Sequence, residues 1–262
     1  MNDLSNVLFG EERKMMILKY IQQHSRASVQ ELSRVLNVSE STVRRDLKEL
    51  EDEKMLHRTH GGAVSLQGVN FEPTFMEKGV KYQREKVAIA KKAAELIDDG
   101  DTILLDSGTT TFHLLSELHR FSELTIVTNC PLFVEYIQDR PTIELIVVGG
   151  IYRRGTAALV GPITEQLIRS VKVDKAFIGM NGIDLHDGLT TPNIMEASTK
   201  RQMIKSAKQV ILLTDHSKVG KVSFAKVAEI SDIDICVIDN GVPLEFVKGL
   251  EEQGVEVHVV DP

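Results

Sequence analysis

The sequence predicts an α/β protein in two parts: a small N-terminal domain of helices closed by a hairpin, and a larger, mostly parallel, doubly wound α/β domain. Three observations carry this. The first 64 residues show three helical patterns and no strand-like run until the end. Beyond residue 100, short apolar runs alternate with helical segments, and most of them are continuous rather than alternating, as expected of strands covered on both faces. A length of 262 residues suits two modest domains at about 100 to 200 residues each.

The elements follow in order. Ile17, Leu18, Tyr20 and Ile21 repeat at close to a helical period over residues 11–24. Ser28 and Glu31 then form a capping box, in which each side chain satisfies the other's orphan amide, ahead of a short helix that buries Leu32, Val35 and Leu36. Residues 37–39 make a tight turn, and Ser39 caps a third helix over residues 40–53. At 100° per residue, Val43, Leu47 and Leu50 share one stripe of this helix, with Ser41, Arg44, Arg45 and Lys48 opposite. Residues 55–64 read as two short strands around Gly61-Gly62. Together these elements describe a winged helix-turn-helix over residues 1–64.

Residues 65–74, with Gly68 and Pro73 and no helical period, are the expected linker, and residues 75–262 are the second domain. A helix is expected over residues 75–98. Strands are expected at 102–106 (TILLD), 124–128 (LTIVT), 144–148 (ELIVV), 175–179 (KAFIG), 210–214 (VILLT), 233–238 (IDICVI) and 255–259 (VEVHV).

Composition excludes several classes. Hydrophobic residues make up 42% of the chain, enough for packed cores. No apolar run approaches the roughly 20 residues of a membrane span, and charges interrupt the first 25 residues, so the expected location is the cytoplasm. Two cysteines, Cys130 and Cys236, outside any CxxC pair, exclude a disulfide scaffold or zinc finger. The net charge of -7 lies entirely beyond residue 64, so any basic surface for nucleic acid is local. Arg44, Arg45, Lys48, Lys54 and Arg58 supply one.

A helix fits the major groove, where Arg pairs bidentately with guanine, and a wing reaches phosphates or the minor groove. The expected contacts to double-stranded operator DNA are Ser28, Ser39, Ser41, Thr42, Arg44, Arg45 and Lys48, with Arg58 and His60 from the wing. In the second domain, Asp106, Ser107, Gly108, Thr109, Thr110 and Thr111 follow a strand and open a helix, the place where open α/β sheets bind anions. On that segment alone, a capped turn at Ser107 or Thr109 is an equal reading. Other strand ends repeat the polar pattern: Thr128-Asn129, Gly149-Gly150 with Arg153, Asn181-Gly182, and Asp215 to Lys218. Neither GxxxxGK[ST], GxGxxG nor GxSxG occurs where it would mark a site. Asp184, His186 and Asp187, or Asp215 with His216, read as solvated turns rather than metal ligands. No metal or cofactor is expected.

Val38-Ser39-Glu40-Ser41-Thr42-Val43-Arg44-Arg45-Asp46-Leu47, followed by Arg58-Thr59-His60-Gly61-Gly62-Ala63, resembles the DeoR-type bacterial transcriptional regulators. Residues 100–102 and 106–111, Thr128-Asn129, Gly149-Gly150, Glu196 and Asp215 to Lys218 extend the resemblance through the second domain. It implies a homo-oligomeric repressor, not an enzyme, whose C-terminal domain binds a phosphorylated sugar such as fructose 1-phosphate or another ketose phosphate. That effector would sit among residues 106–111, Thr128, Asn129, Gly149, Gly150, Arg153, Asn181, Glu196, Lys200, Asp215 and Lys218, with Arg153 and Lys218 as phosphate cations and Lys200 as the i,i+4 partner of Glu196.

Such sensor domains are similar in fold to pentose-phosphate isomerases, so the alternative is a phosphosugar isomerase with an accessory DNA-binding domain. Aligned on the isomerase motifs, however, Ile178 and Asn181 stand at aspartate positions and Asp187 at a lysine position, and only Glu196 is kept. One carboxylate falls short of the base and polarising groups that isomerisation needs.

Overall fold

A computed structural model describes residues 10–24, 26–53, 55–59, 61–65 and 72–262, and the chain divides into two compact units, residues 1–71 and 72–262. The first contains α1 (Gly10–His24), β1 (Arg26–Ser28), α2 (Val29–Leu36), α3 (Glu40–Asp52), β2 (Leu56–Thr59) and β3 (Gly62–Ser65). Its core is Ile17 and Ile21 of α1, Leu32 and Leu36 of α2, Val43, Leu47 and Leu50 of α3, and Leu56 and Ala63 of the hairpin. Both expected caps are present: Ser28 with Glu31 as a full box, and Ser39 accepting from the Thr42 amide. Asn37, at φ 50°, makes the left-handed turn between α2 and α3 that its short polar side chain tolerates. Val35, expected in the core, is exposed.

One strand was not expected. β1 pairs antiparallel with β3, giving the order β1-β3-β2. Three residues are too few for a period to show. Gly62 lies so close to β1 that a Cβ would stand 2.0 Å from the Ala27 carbonyl oxygen, so glycine is required there.

The second unit runs α4 (Phe75–Gly79), α5 (Gln83–Ala94), β4 (Thr102–Leu105), α6 (Thr109–Leu114), β5 (Leu124–Thr128), α7 (Phe133–Ile137), β6 (Ile143–Val147), β7 (Ile151–Arg153), β8 (Ala158–Val160), α8 (Pro162–Arg169), β9 (Val173–Ile178), β10 (Gly182–Asp184), β11 (Gly188–Thr191), α9 (Ile194–Ser206), β12 (Ala207–Thr214), β13 (Ala225–Ala228), β14 (Ile235–Asp239), α10 (Leu244–Glu252) and β15 (Glu256–Val260). Seven strands form one parallel sheet in the order β15-β14-β12-β9-β4-β5-β6. Apolar clusters cover both faces, which is why the strands read as unbroken apolar runs. From β4 the chain winds outward to β5 and β6, and from β9 the other way to β12, β14 and β15. The switch point therefore lies between the carboxyl ends of β4 and β9, where ligands of doubly wound sheets bind.

The helix expected over residues 75–98 is two helices. Tyr82 at φ 54° breaks it, and the Lys86 ammonium donates to the carbonyls of Lys78 and, at 2.8 Å, Lys81, satisfying groups that the break leaves open. The ribbon β7-β8 and the small sheet β10-β11-β13 were also unexpected.

Candidate functional site

In the first unit, α3 presents its polar face to solvent. Ser41, Arg44, Arg45 and Lys48 are exposed, while Val43, Leu47 and Leu50 are buried beneath them. Ser39 Oγ lies 2.8 Å from both Ser41 Oγ and Thr42 Oγ1, so three hydroxyls gather at the N-terminus of α3, where backbone amides favour an anion. Arg44 reaches back to Glu40 at 3.2 Å, an exposed pair that costs little to open. Among the described residues, Arg45 and Lys48 have no carboxylate partner. Arg58 stands on the wing, exposed, 3.8 Å from Glu51. Ser28 spends its hydroxyl on the Glu31 amide. His60 lies outside the described residues.

The acid in the middle of this basic run has a separate task. Asp46 is buried and receives Arg13 Nε at 2.5 Å and Nη2 at 3.0 Å, a bidentate bridge from α1 to α3. Asp46 therefore fixes the helix that carries the basic face rather than diluting its charge.

In the second unit, a solvent-open cleft sits at the switch point. Ser107, Gly108, Thr109 and Thr110 line it from the end of β4, Gly179, Met180 and Asn181 from the end of β9, and Thr214, Asp215 and Lys218 from the end of β12. Glu196 and Lys200 enter from α9, Thr156 from the β7-β8 turn, Lys78 from α4 and Lys86 from α5.

Nine expected residues are thus brought together: Ser107, Gly108, Thr109, Thr110, Asn181, Glu196, Lys200, Asp215 and Lys218. The others are not on its walls. Asp106 is fully buried behind the cleft. Its Oδ1 accepts from the Gly108 amide (2.9 Å) and Thr111 Oγ1 (2.6 Å), and its Oδ2 from the Gly179 amide (2.9 Å) and Lys200 Nζ. One carboxylate ties the ends of β4 and β9 to α9. Gly108, without a side-chain hydrogen bond, stands at the N-cap where Ser107 or Thr109 was expected, because Asp106 already holds its amide. Thr128 bonds the Leu105 carbonyl, and Asn129 clamps β8 through Leu159 in both directions. Gly149 accepts from Thr164, and Gly150, at φ 150°, has room only for hydrogen, since a Cβ would meet Thr164 Oγ1 at 1.9 Å. These residues position the cleft and do not face it.

Two expected pairings are corrected. Glu196 and Lys200 do not pair: Lys200 takes Asp106 and the Gly179 carbonyl (2.9 Å), and Glu196 takes Arg153 and Thr156. Both are buried, so each binds the partner that tertiary packing supplies. Arg153, expected as a phosphate cation, does not line the cleft: its terminal nitrogens donate to Glu196 and, at 2.7 Å, to Glu72, which balance its charge.

Four cations line the cleft: Lys200, which Asp106 already neutralises, and Lys78, Lys86 and Lys218, of which Lys78 and Lys86 were missed. Nothing local distinguishes Lys78 and Lys86 from surface lysines, since only the break at Tyr82 folds them inward. Burial lowers the Lys78 ammonium below its usual range and pulls Lys86 down to about 8, against the attraction of Glu72 and Glu196 on the first and of Asp215 on the second. Lys221, close by, is lowered by burial and by Lys218. Among the described residues, the nearest carboxylate to any of the three is Glu72, 4.0 Å from Lys78.

Asp184 accepts the amides of His186 and Asp187 in a tight turn, and no metal-ligand cluster occurs among the described residues. Burial holds the thiols of Cys130 and Cys236 up, to about 11 and about 12. Among the described residues, no helix is long and apolar enough to cross a membrane.

The chain thus joins a winged helix-turn-helix, the fold of a DNA-binding module, to a doubly wound α/β unit with a cleft at its switch point. Residues 13–69 match the model of the DeoR-like helix-turn-helix domain, and residues 81–240 match that of the DeoR C-terminal sensor domain. The chain is 38% identical to the uncharacterized HTH-type transcriptional regulator FruR of Bacillus subtilis, over 87% of this chain and 90% of that one. It is 35% identical to GolR of Listeria innocua over 97% and 100%, and 35% identical to the transcriptional repressor GlcR of Bacillus subtilis over 97% and 98%. The chain belongs to the DeoR family and is a DNA-binding transcriptional regulator, not an enzyme. Among solved structures, ribose 5-phosphate isomerase A of Methanocaldococcus jannaschii aligns over 52% of this chain and 54% of its own, at 18% identity and a TM-score of 0.38.

Proposed function

We propose that the second unit binds a phosphorylated sugar in the cleft, and that occupancy sets the affinity of the first unit for its operator, in a homo-oligomeric repressor of a sugar-metabolism operon. One observation carries this reading: Lys78, Lys86 and Lys218, from three separate elements, converge on one cleft, and among the described residues Lys86 and Lys218 have no salt bridge to a carboxylate while Lys78 has only Glu72 at 4.0 Å. Mutual repulsion of partly buried ammonium groups costs stability, and an anion removes that cost. The hydroxyls of Ser107, Thr109 and Thr110 suit the remaining phosphate oxygens. Glu196 receives both its protein bonds on Oε1, which leaves Oε2, with Asn181 and Asp215, for sugar hydroxyls.

On the DNA side, Arg44, Arg45 and Lys48 read the major groove, Ser39, Ser41 and Thr42 receive a phosphate at the start of α3, and Arg58 contacts backbone from the wing. The test is a gel shift at fixed salt on the DNA upstream of the protein's own operon, with fructose 1-phosphate, tagatose phosphates, glycerol 3-phosphate and inorganic phosphate, alongside calorimetric titration of each compound. Binding by titration together with about a tenfold change in DNA affinity is the expected result. DNA binding that is equal at saturating concentrations of a bound compound would refute control by the cleft. Sedimentation of the free protein checks the oligomer, and a monomer at micromolar concentration would remove that part.

A further inference from the structure

Glu72 is the first described residue after the segment that joins the two units, and its carboxylate is held at both ends by groups tied to the cleft. Oε2 accepts from Arg153 Nη2 at 2.7 Å. Oε1 is buried without a hydrogen bond among the described residues and faces Lys78 Nζ at 4.0 Å. Arg153 continues through Nη1 to Glu196 Oε1, which also accepts from Thr156. Lys78 and Glu196 are both walls of the cleft. Beside Glu72, the Phe75 amide bonds the Gly155 carbonyl at 2.7 Å, so the start of α4 rests on the same β7-β8 turn that carries Arg153.

We infer that Glu72 and Arg153 are positioning residues through which occupancy of the cleft reaches the segment leading to the DNA-binding unit; the inference rests on the anion-binding reading above. With the cleft empty, Glu72, Glu196, Arg153 and Lys78 make a set of two negative and two positive charges, a balance that buried ions require. A phosphate dianion draws Lys78 toward itself and leaves two carboxylates sharing Arg153. One carboxylate must then leave the set or take up a proton. Glu196 is held additionally by Thr156 and sits inside a thirteen-residue helix, whereas Glu72 sits on an end segment next to a five-residue one. Glu72 gives way, and residues 72–74 and the start of α4 loosen from the β7-β8 turn. The ligand thus favours one of two arrangements of the residues adjoining the linker, which is what control at a distance requires.

Hydrogen exchange of the full chain tests this without knowledge of the operator. Inorganic phosphate and fructose 1-phosphate are the probes, and calorimetry first establishes whether either binds. In the natural protein, the amides of residues 72–79 should exchange about tenfold faster with the bound probe than without it. In Glu72→Gln, which keeps the shape and loses the charge, exchange should be fast already and indifferent to the probe, while binding persists. On a DNA fragment that the natural protein binds, the change in affinity caused by the probe should disappear in this variant.

A merely structural Glu72 would lower the melting temperature and leave the response to the probe intact. Arg153→Lys, which keeps the charge but replaces the fork of two terminal nitrogens with one ammonium on a shorter side chain, is the second variant, with the same loss of response expected. Bound probe with unchanged exchange at residues 72–79 in the natural protein, or a full response in Glu72→Gln, overturns the inference. Absence of binding by both probes overturns the anion reading itself, and the inference falls with it.

Discussion

If the cleft binds an anion as proposed, Lys86 should make that binding depend on pH around its own pKa of about 8. Its ammonium is buried, donates to the carbonyls of Lys78 and Lys81, and is pulled down to about 8 from an ordinary 10.5 by burial, with Asp215 opposing the fall and Lys218 and Lys78 adding to it. A bound phosphate dianion needs the charged form and raises the pKa back toward the ordinary value. The empty protein then carries the proton on about nine molecules in ten at pH 7 and about one in ten at pH 9, so affinity should fall about tenfold between those values, or about 1.4 kcal/mol. Calorimetric titration of fructose 1-phosphate or inorganic phosphate at pH 7, 8 and 9, at constant ionic strength, measures this. Lys86→Gln should bind more weakly at pH 7 and show a flatter profile. The same affinity at pH 7 and 9, or an unchanged slope in Lys86→Gln, would refute the assignment of Lys86 to the phosphate. In the absence of ligand the sign reverses for folding. The folded chain releases the Lys86 proton before the unfolded chain does, so this residue adds stability as pH climbs from about 8 toward 10.5.

Arg44→Ala should cost about 1 to 3 kcal/mol against the cognate operator if Arg44 reads a base, and equal loss on unrelated DNA would assign it to a phosphate. Asp46→Ala leaves Arg13 without its bidentate partner; it should lower the stability of the first unit by about 2 kcal/mol, discounted for screening near the surface, as read by urea unfolding. Gly150→Ala drives a methyl group into Thr164 at a backbone angle that favours glycine, and should destabilise the second unit by about 2 to 4 kcal/mol in thermal unfolding.

The helix-turn-helix was legible because its signals are local. The Ser28–Glu31 box, the Ser39 cap and the stripe of Val43, Leu47 and Leu50 all act within one or two helical turns, and the exposure of Arg44, Arg45 and Lys48 follows from that stripe. The strands were legible from unbroken apolar runs, and half of the cleft from polar residues at strand ends. Lys78 and Lys86 were not, because a lysine in a helical pattern reads as solvated unless the fold turns it inward. The division at Tyr82 was equally silent, since the apolar period continues across it.

Charge pairing was the part most often misplaced. Glu196 and Lys200 stand one turn apart, and Arg153 follows a strand end with no neighbour in sequence to claim it. Helical spacing decides partners only when both groups are in water, where alternatives are weak and screened. Once buried, an ion must find whatever opposite charge the fold brings within reach, and here Lys200 finds Asp106, 94 residues away in the chain, while Arg153 finds Glu72 and Glu196. The sequence by itself determined the two domains, the exposed basic helix and the strand ends that wall the cleft, all through contacts a few residues long. Only the tertiary structure decided which buried charges neutralise one another and which lysines face the cleft, because desolvation makes those choices depend on neighbours that are distant in the chain.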